Sequence, residues 1–326
     1  MQAIVFDQPG DESVLKLADA ESPPLRPGSL RIAVRAAGVN RADLLQRRGA
    51  YPPPPGASPL LGLECAGELV ECASDVAGWQ LGDRVMALLP GGGYASEVVV
   101  DAGSVMPIPE RLSEVEAAAI PEVMLTVYRN VFQLGGLAAG GSVLVHGGGS
   151  GIGTATIGML KTVGGTCVVT AGSAEKCRRC LELGAAAAAN YNEDDFVDVV
   201  KEATGGRGVD VVLDSIGAPY LERNLASLAM EGRLVLIGVM GGAKAELSLA
   251  SLLLRRLQVI GSTLRTLPEA VKAEIVAGFL GTFGKALQSG ELAPVIDRVL
   301  PLADAPEAHR IMQASRHFGK IVLEVG

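Results

Sequence analysis

Residues 142–153 have the sequence Ser-Val-Leu-Val-His-Gly-Gly-Gly-Ser-Gly-Ile-Gly, a short apolar run that breaks into a glycine-dense turn. Residues 154–161, Thr-Ala-Thr-Ile-Gly-Met-Leu-Lys, continue with a helix-like pattern. A strand, a glycine turn and a helix in this order are typical of the phosphate-binding turn of a dinucleotide-binding unit. The stretch therefore predicts a strand–turn–helix unit with a dinucleotide at its turn.

The residues of this turn have different expected tasks. We expect Gly148 to permit the tight exit from the strand, Gly151 to open the helix and Gly153 to let the helix pack close to the sheet. In the G-x-G-x-x-G register that begins at Gly148, the middle glycine is replaced by Ser150. Its hydroxyl would either contact the ligand or cap the helix, and the sequence leaves both open. The predicted cofactor contacts of the turn are Gly148, Ser150, Gly151, Ile152 and Gly153.

Composition limits the class of protein. The chain has 326 residues, 48% apolar and 20% charged, which is typical of a globular protein of two domains. The net charge of −8 disfavours a nucleic-acid or anionic-membrane surface. No run of about 18 apolar residues and no basic leader is present, so we expect a cytoplasmic protein. The five cysteines are expected to be reduced, and the Cys177–Cys180 pair to be structural.

The pattern of strand-like and helix-like segments divides the chain into three parts. Residues 1–121 are strand-rich with Gly and Pro punctuation, which predicts an antiparallel, barrel-like β domain. Residues 122–264 alternate buried strands with helices, which predicts a doubly wound parallel sheet, and residues 265–326 are expected to return to the first domain. The fold class is therefore α/β. The predicted strands of the middle part are 142–146, 166–170, 186–190, 209–214, 232–238 and 257–262.

The cofactor can be inferred from the residues that follow the second strand of the dinucleotide unit. Sites that prefer NAD carry an acidic residue about 20 positions after the glycine turn, where it accepts the ribose 2′-hydroxyl. This chain has Gly172 and Ser173 there, with Lys176 one turn into the next helix. Small residues, a lysine and a helix N-terminus suit a 2′-phosphate, so we expect NADPH. The Glu175 carboxylate could repel that 2′-phosphate, although its position in the first turn favours interaction with the helix dipole.

Several blocks resemble the zinc-free quinone oxidoreductase branch of the medium-chain dehydrogenase/reductase superfamily, most closely the tumour-suppressor-induced type of animals. The blocks include 40–44 (Asn-Arg-Ala-Asp-Leu), 51–54 (Tyr-Pro-Pro-Pro), 119–122 (Ala-Ile-Pro-Glu), 236–242 (Leu-Ile-Gly-Val-Met-Gly-Gly) and 319–324 (Gly-Lys-Ile-Val-Leu-Glu). The resemblance implies a GroES-like β-barrel domain, a Rossmann domain, a cleft between them and a homodimer.

The resemblance also bears on metal. Zinc-dependent relatives carry Cys where this chain has Asn40, and His where it has Leu63. Thiolate and imidazole are the groups that hold Zn²⁺, and neither replacement can do so. We therefore expect no metal and no Lewis-acid route.

What remains is hydride transfer from NADPH to a bound acceptor, with the protein orienting the partners and stabilising the developing oxyanion. The resemblance assigns the catalytic positions to Asn40, as an amide donor to the substrate oxygen, and to Tyr51, as an orienting donor or stacking wall. A turn residue and a loop anchor are the alternatives for these two. It also implies further cofactor contacts at Thr126, Tyr191, Gly238 and Met240.

The leading hypothesis is an NADPH:quinone oxidoreductase that uses neither metal nor flavin and acts on a small quinone or conjugated carbonyl. An enoyl or alkenal reductase, which delivers hydride to a β-carbon, is the alternative. A non-enzymatic NADPH-binding protein is the third, and the acidic balance disfavours a nucleic-acid partner for it.

Overall fold

The computed structural model describes residues 1–326, and the chain forms two compact units. Unit 1 comprises Met1–Leu125 and Leu264–Gly326, and unit 2 comprises Thr126–Thr263. No helix combines the length and the apolar character that crossing a membrane requires.

The N-terminal part of unit 1 is built mainly of antiparallel strands. Its strands are β1 (Gln2–Val5), β2 (Lys16–Asp19), β3 (Ser29–Gly38), β4 (Glu64–Cys72), β5 (Arg84–Leu88), β6 (Glu97–Asp101) and β7 (Val105–Pro107). Its helices are α1 (Arg41–Arg47), α2 (Glu114–Ala117) and α3 (Pro121–Val127), the last of which continues into unit 2. The ten-residue β3 pairs with both β4 and β6, so it is the central strand of this unit.

Unit 2 alternates strands and helices after a π-helical segment, Tyr128–Leu134. Its strands are β8 (Ser142–His146), β9 (Thr166–Ala171), β10 (Ala187–Asn190), β11 (Val209–Asp214), β12 (Leu228–Leu236) and β13 (Gln258–Gly261). Its helices are α4 (Gly151–Thr162), α5 (Ala174–Leu183), α6 (Phe196–Ala203), α7 (Leu221–Ser227) and α8 (Leu249–Arg255).

The six strands of unit 2 form one parallel sheet in the order β10-β9-β8-β11-β12-β13. The predicted doubly wound sheet is therefore confirmed. The order reverses between β8 and β11, and in such sheets ligands bind beyond the carboxyl ends of the strands at this reversal. One strand starts earlier than predicted: β12 begins at Leu228, which pairs with Val209, and after a register shift the pairing with β11 continues from Arg233.

After unit 2 the chain adds α9 (Glu269–Ser289), β14 (Ile296–Pro301), α10 (Ala305–Gln313) and β15 (Lys320–Glu324). Strand β15 pairs antiparallel with β3 and parallel with β14, so the C-terminal strands extend the sheet of unit 1. Buried apolar residues from both ends of the chain, among them Ile4, Leu30, Ile311 and Leu323, share one core cluster.

Candidate functional site

The glycine turn after β8 adopts the strand–turn–helix conformation that its sequence predicts. Its left-handed residue is Gly147, with φ of +76°, and not Gly148, so the tight exit occurs one residue earlier than expected. Gly153 abuts the turn itself and not the sheet, because a Cβ there would lie 2.4 Å from the Gly147 carbonyl oxygen. It is Gly148 that faces the sheet, where a Cβ would lie 2.7 Å from Val169. Gly147, Gly148 and Gly153 therefore each require glycine. The tasks that the motif register assigned to Gly148 and Gly153 are wrong.

Ser150 caps α4. Its backbone is extended, and its Oγ accepts a hydrogen bond of 3.0 Å from the Gly153 N–H. Of the two roles that the sequence left open, the cap is the one observed. The hydroxyl hydrogen is not used in that bond, so donation to a ligand stays a prediction.

The turn presents unused backbone donors. The N–H groups of Gly151 and Ile152 belong to the first turn of α4, where no intrahelical carbonyl reaches them, and they make no hydrogen bond within unit 2. A 12-residue helix adds its partial positive charge at the same end. Free amides at a helix N-terminus fit the pyrophosphate of a dinucleotide.

The residues predicted to distinguish NADPH from NADH lie together after β9. The Tyr191 hydroxyl covers Gly172, since a Cβ on that glycine would lie 2.3 Å from the hydroxyl oxygen. Ser173 caps α5 by accepting from the Lys176 N–H at 3.3 Å. Glu175 forms an exposed ion pair of 2.6 Å with Arg178 on the same helix, which holds its carboxylate on the helix surface.

Thr126 is buried, and its hydroxyl has no hydrogen-bond partner. Burying a hydroxyl without a partner costs free energy, so an orphaned one fits a group that completes its bonding with a ligand. Gly238 and Met240 lie in the loop after β12, where the Met240 N–H donates to the Ser215 carbonyl at 3.1 Å. This loop is thereby tied to the one after β11, and Met240 is 55% exposed.

Asn40 belongs to a buried network that the sequence did not predict. Its Nδ2 donates to Glu64 Oε1 at 2.9 Å and more weakly to the Gly38 carbonyl at 3.4 Å. Its Oδ1 accepts from Lys320 Nζ at 2.6 Å, and the same ammonium donates to Glu64 Oε1 at 2.6 Å. The carboxamide is thus fully engaged by the protein, and the expected donation to a substrate oxygen would require it to leave one of these partners.

A second buried chain of hydrogen bonds supports this network. Asp43 accepts from the Asn40 N–H at 2.8 Å, the Gly62 N–H at 3.0 Å and the Tyr94 hydroxyl at 3.2 Å. The Tyr94 hydroxyl also contacts His309 at 3.3 Å. Burial raises the pKa of Asp43 to about 6, although these donors oppose the rise. The position of Asn40 is therefore fixed through both its backbone and its side chain.

Tyr51 lies against an arginine that the sequence analysis missed. The Arg265 guanidinium stands 5.1 Å from the centre of the Tyr51 ring, which is a cation–π distance, and donates to the Tyr51 carbonyl at 3.3 Å. Arg265 is fixed in turn by the Gln46 side chain at 2.6 Å and the Pro90 carbonyl at 2.8 Å. The Tyr51 hydroxyl makes no hydrogen bond within unit 1. Burial raises the pKa of Tyr51, so its hydroxyl is a donor at neutral pH.

Glu122 is the remaining acidic group of this region. Its backbone N–H donates to Glu64 Oε2 at 2.9 Å, which anchors the start of α3 on the Asn40 network. Its own carboxyl group makes no hydrogen bond or ion pair within unit 1. Burial first, and then the charges of Glu64 and Asp43, raise its pKa to about 7 against the opposing effect of Lys320.

Three of these side chains had a detectable signal in the sequence. Lys320 opens the apolar strand Ile-Val-Leu, Arg265 follows the last strand of unit 2, and Glu122 stands among apolar residues after Pro121. A charged residue in an apolar run predicts a buried partner, but nothing local indicates which residue that partner is. The chain contains no group of three or more His, Cys, Asp and Glu side chains arranged to hold a metal ion.

Two protein families match separate parts of the chain. Residues 26–110 match the alcohol dehydrogenase GroES-like domain, and residues 151–277 match the zinc-binding dehydrogenase family. The predicted combination of a GroES-like domain with a Rossmann domain is therefore confirmed.

Relatives and solved structures are similar along nearly the whole chain. The human synaptic vesicle membrane protein VAT-1 homolog is 31% identical over 97% of this chain and 84% of its own length. A solved NAD-dependent alcohol dehydrogenase is 33% identical with a TM-score of 0.87, each chain being fully covered. The Escherichia coli quinone oxidoreductase solved with NADPH is 28% identical, with a TM-score of 0.87 over 99% of this chain and all of the other. The CurK enoyl reductase is 27% identical, with a TM-score of 0.87 over all of this chain and 99% of the other.

Some curated relatives are much longer. The phthioceranic/hydroxyphthioceranic acid synthase of Mycobacterium tuberculosis is 32% identical over 97% of this chain, which spans only 15% of that protein.

Proposed function

Because the chain belongs to the medium-chain dehydrogenase/reductase superfamily of oxidoreductases, we propose that it is an NADPH-dependent, zinc-independent reductase of quinones. One observation carries the proposal: where zinc-dependent relatives hold their metal with Cys and His, this chain has Asn40 and Leu63, and Asn40 forms a closed network with Glu64 and Lys320. A protein cation and its carboxylate partner already satisfy this position, and neither an amide nor an alkyl group holds Zn²⁺.

Unit 2 would hold the cofactor. The amides of Gly151 and Ile152, with the hydroxyl of Ser150, would bind the pyrophosphate, flanked by Gly148 and Gly153. Gly172, Ser173, Lys176 and Tyr191 would surround the adenosine end. The ion pair of Glu175 with Arg178 partly offsets a carboxylate that would repel a 2′-phosphate. Thr126, Gly238 and Met240 complete the proposed contacts. The NADPH of the E. coli quinone oxidoreductase structure supports this choice of cofactor.

When bound, NADPH supplies a hydride to an electron-poor acceptor. Unit 1 would orient that acceptor. The Tyr51 ring, held by Arg265, offers a flat wall for a quinone ring, and its free hydroxyl can donate to a quinone oxygen. Asn40 would contribute through its location and not as a donor to the substrate, because its side-chain amide is hydrogen-bonded to Glu64 and Lys320.

The direct test is the loss of NADPH absorbance when ortho- or para-quinones are added to the purified protein. We expect turnover that a chelator does not diminish and that is faster with NADPH than with NADH. Absence of turnover with every quinone tested would refute the proposal.

The alternative, an enoyl or alkenal reductase, is favoured by the structural similarity to the CurK enoyl reductase. That reaction places hydride on a β-carbon and a proton on the α-carbon. A panel of enals and enones measured beside the quinones separates the two, because the preferred class is the one with the higher kcat/KM.

We also propose a homodimer formed through the outer edge of unit 2. Strand β13 is the last strand of the sheet, so its outer edge is unpaired. The neighbouring α8 exposes Leu249, Leu253 and Leu254 at 72%, 77% and 73%. An unpaired edge beside exposed leucines fits a second copy of the same edge, which would pair strand to strand and cover both helices.

A further inference from the structure

We propose that Glu122 is a catalytic residue, the proton donor to the oxygen of the reduced quinone. The inference rests on the proposed reductase function and gives a task to Glu122, a residue of the block 119–122 to which the sequence analysis assigned no role. It stands on the contacts of Glu122 and its neighbours Glu64, Asp43 and Lys320 in unit 1.

Among Glu64, Asp43 and Glu122, only Glu122 has a carboxyl group without a hydrogen-bond or ion-pair partner. Glu64 accepts from Lys320, from Asn40 and from the Glu122 N–H, and Asp43 accepts from three donors. Glu122 is partly accessible, and no protein group binds its carboxyl oxygens. An acid that the protein leaves unsatisfied at a partly open position is available to a ligand.

The charges that face Glu122 explain why it holds a proton. Glu64 and Asp43 are the nearby carboxylates, Lys320 is the nearby cation, and Tyr51 is the nearby phenol, since the Glu122 charge acts on it. The Lys320 ammonium is already bound to Glu64 at 2.6 Å, so it only partly offsets the effect of burial and of the two acids. The pKa of Glu122 therefore rises to about 7, so the group can hold its proton near neutral pH.

A proton donor at this pKa suits the chemistry better than Tyr51 does. The reduced quinone is a phenolate, and phenols such as tyrosine have a pKa of about 10. A carboxylic acid of lower pKa transfers its proton downhill to such an oxygen, whereas Tyr51, whose own pKa is raised, does not. Tyr51 orients the quinone by donating a hydrogen bond, and Glu122 gives the proton.

The step balances. Addition of hydride, one proton with two electrons, converts the quinone to a hydroquinone monoanion. The O–H bond of Glu122 then breaks, a new O–H bond forms on the phenolate oxygen, and the carboxylate that remains recovers a proton from water. Together with the oxidation of NADPH, one quinone and one proton give one hydroquinone and NADP⁺.

The test compares wild type with Glu122→Gln, which keeps the shape but cannot give a proton, and with Glu110→Gln, an exposed acid of the same unit as control. For wild type and the control we expect kcat for quinone reduction to fall as pH rises through about 7. Glu122→Gln is expected to lose about 10²-fold in kcat at acidic pH and to have a flat pH profile, with an unchanged affinity for NADPH.

A second readout needs no turnover. In infrared difference spectra of the protein without cofactor, the C=O band of a protonated carboxylic acid should disappear between acidic and alkaline pH with a midpoint near 7. That component should be absent from Glu122→Gln and present in Glu110→Gln.

The possible failures are distinct. If wild type reduces quinones but Glu122→Gln keeps its rate and pH profile, the role of Glu122 is refuted while the proposed function stands. If no component near pH 7 is lost in the variant, the protonation on which the role depends is refuted. If wild type reduces no quinone at any pH, the proposed function fails, whatever the spectra give.

Discussion

Replacing Lys320 by Met tests whether the ion pair beneath Asn40 holds unit 1 together. The Lys320 ammonium and the Glu64 carboxylate are 3% and 0% exposed and lie 2.6 Å apart. Lys320 also donates to Asn40 Oδ1 at 2.6 Å and to the Val39 carbonyl at 3.1 Å. Methionine is of similar length and apolar, so the substitution removes the charge and three hydrogen bonds while filling most of the volume.

The expected loss in the free energy of unfolding comes from the Glu64 charge that Lys320→Met leaves without its cation. Glu64 would remain buried with a negative charge and only the Asn40 amide and the Glu122 N–H as donors. Removing one partner of a buried pair costs about 3–5 kcal/mol, because the other charge stays uncompensated. The exposed pair of Arg26 with Glu269, 47% and 55% accessible at 3.0 Å, should be worth about 0–1 kcal/mol.

Urea unfolding gives the free energies of wild type, Lys320→Met, Glu64→Gln, the double variant and the Arg26→Met control. The double variant should be more stable than the sum of the single losses predicts, since no lone charge remains in it. A loss for Lys320→Met no larger than that of the Arg26→Met control, or strict additivity in the double variant, would contradict the interpretation of this pair as buried and coupled.

Four further predictions concern other parts of the chain. Ser150→Ala removes the cap of α4 and should lower the unfolding free energy by about 1 kcal/mol, measured in urea, and weaken NADPH binding. Lys176→Ala should raise KM for NADPH but not for NADH in steady-state kinetics, and an equal change for both would exclude Lys176 as the 2′-phosphate ligand. Because the pKa of Glu122 is raised from 4.5 to about 7, the folded chain holds that proton more tightly and loses stability as pH rises between these values. Glu122→Gln should therefore raise the melting temperature at about pH 8 and leave it unchanged at about pH 4. Leu253→Glu on α8 should give monomers in sedimentation equilibrium, whereas Leu181→Glu, at a leucine 46% exposed on α5, should leave the dimer intact, and a monomeric wild type would refute the proposed assembly.

Local features of the fold were predictable with good accuracy. The strands at 142–146 and 209–214 have the predicted bounds, and the glycine turn between β8 and α4 has the predicted conformation. Apolar runs, glycine and helix caps act through residues a few positions apart, so a short window of sequence contains their cause. The tight exit from the strand, expected at Gly148 and found at Gly147, marks the limit of such prediction, since three consecutive glycines have equal freedom and only the packing around them decides.

The order of apolar runs and glycines was enough to predict that a parallel sheet with a dinucleotide turn follows a strand-rich domain, and the family resemblance led us to expect Asn40 and Leu63 in place of metal ligands. The contacts of Asn40 could be found only in the folded chain, because its partner Lys320 lies 280 positions away and Glu64 lies 256 positions from that lysine. Likewise, the apolar neighbours of Glu122 in the sequence indicate burial but not its partners, and its raised pKa arises from burial beside Glu64 and Asp43. Charge interactions and desolvation depend on distances in space, and separation along the chain does not give those distances.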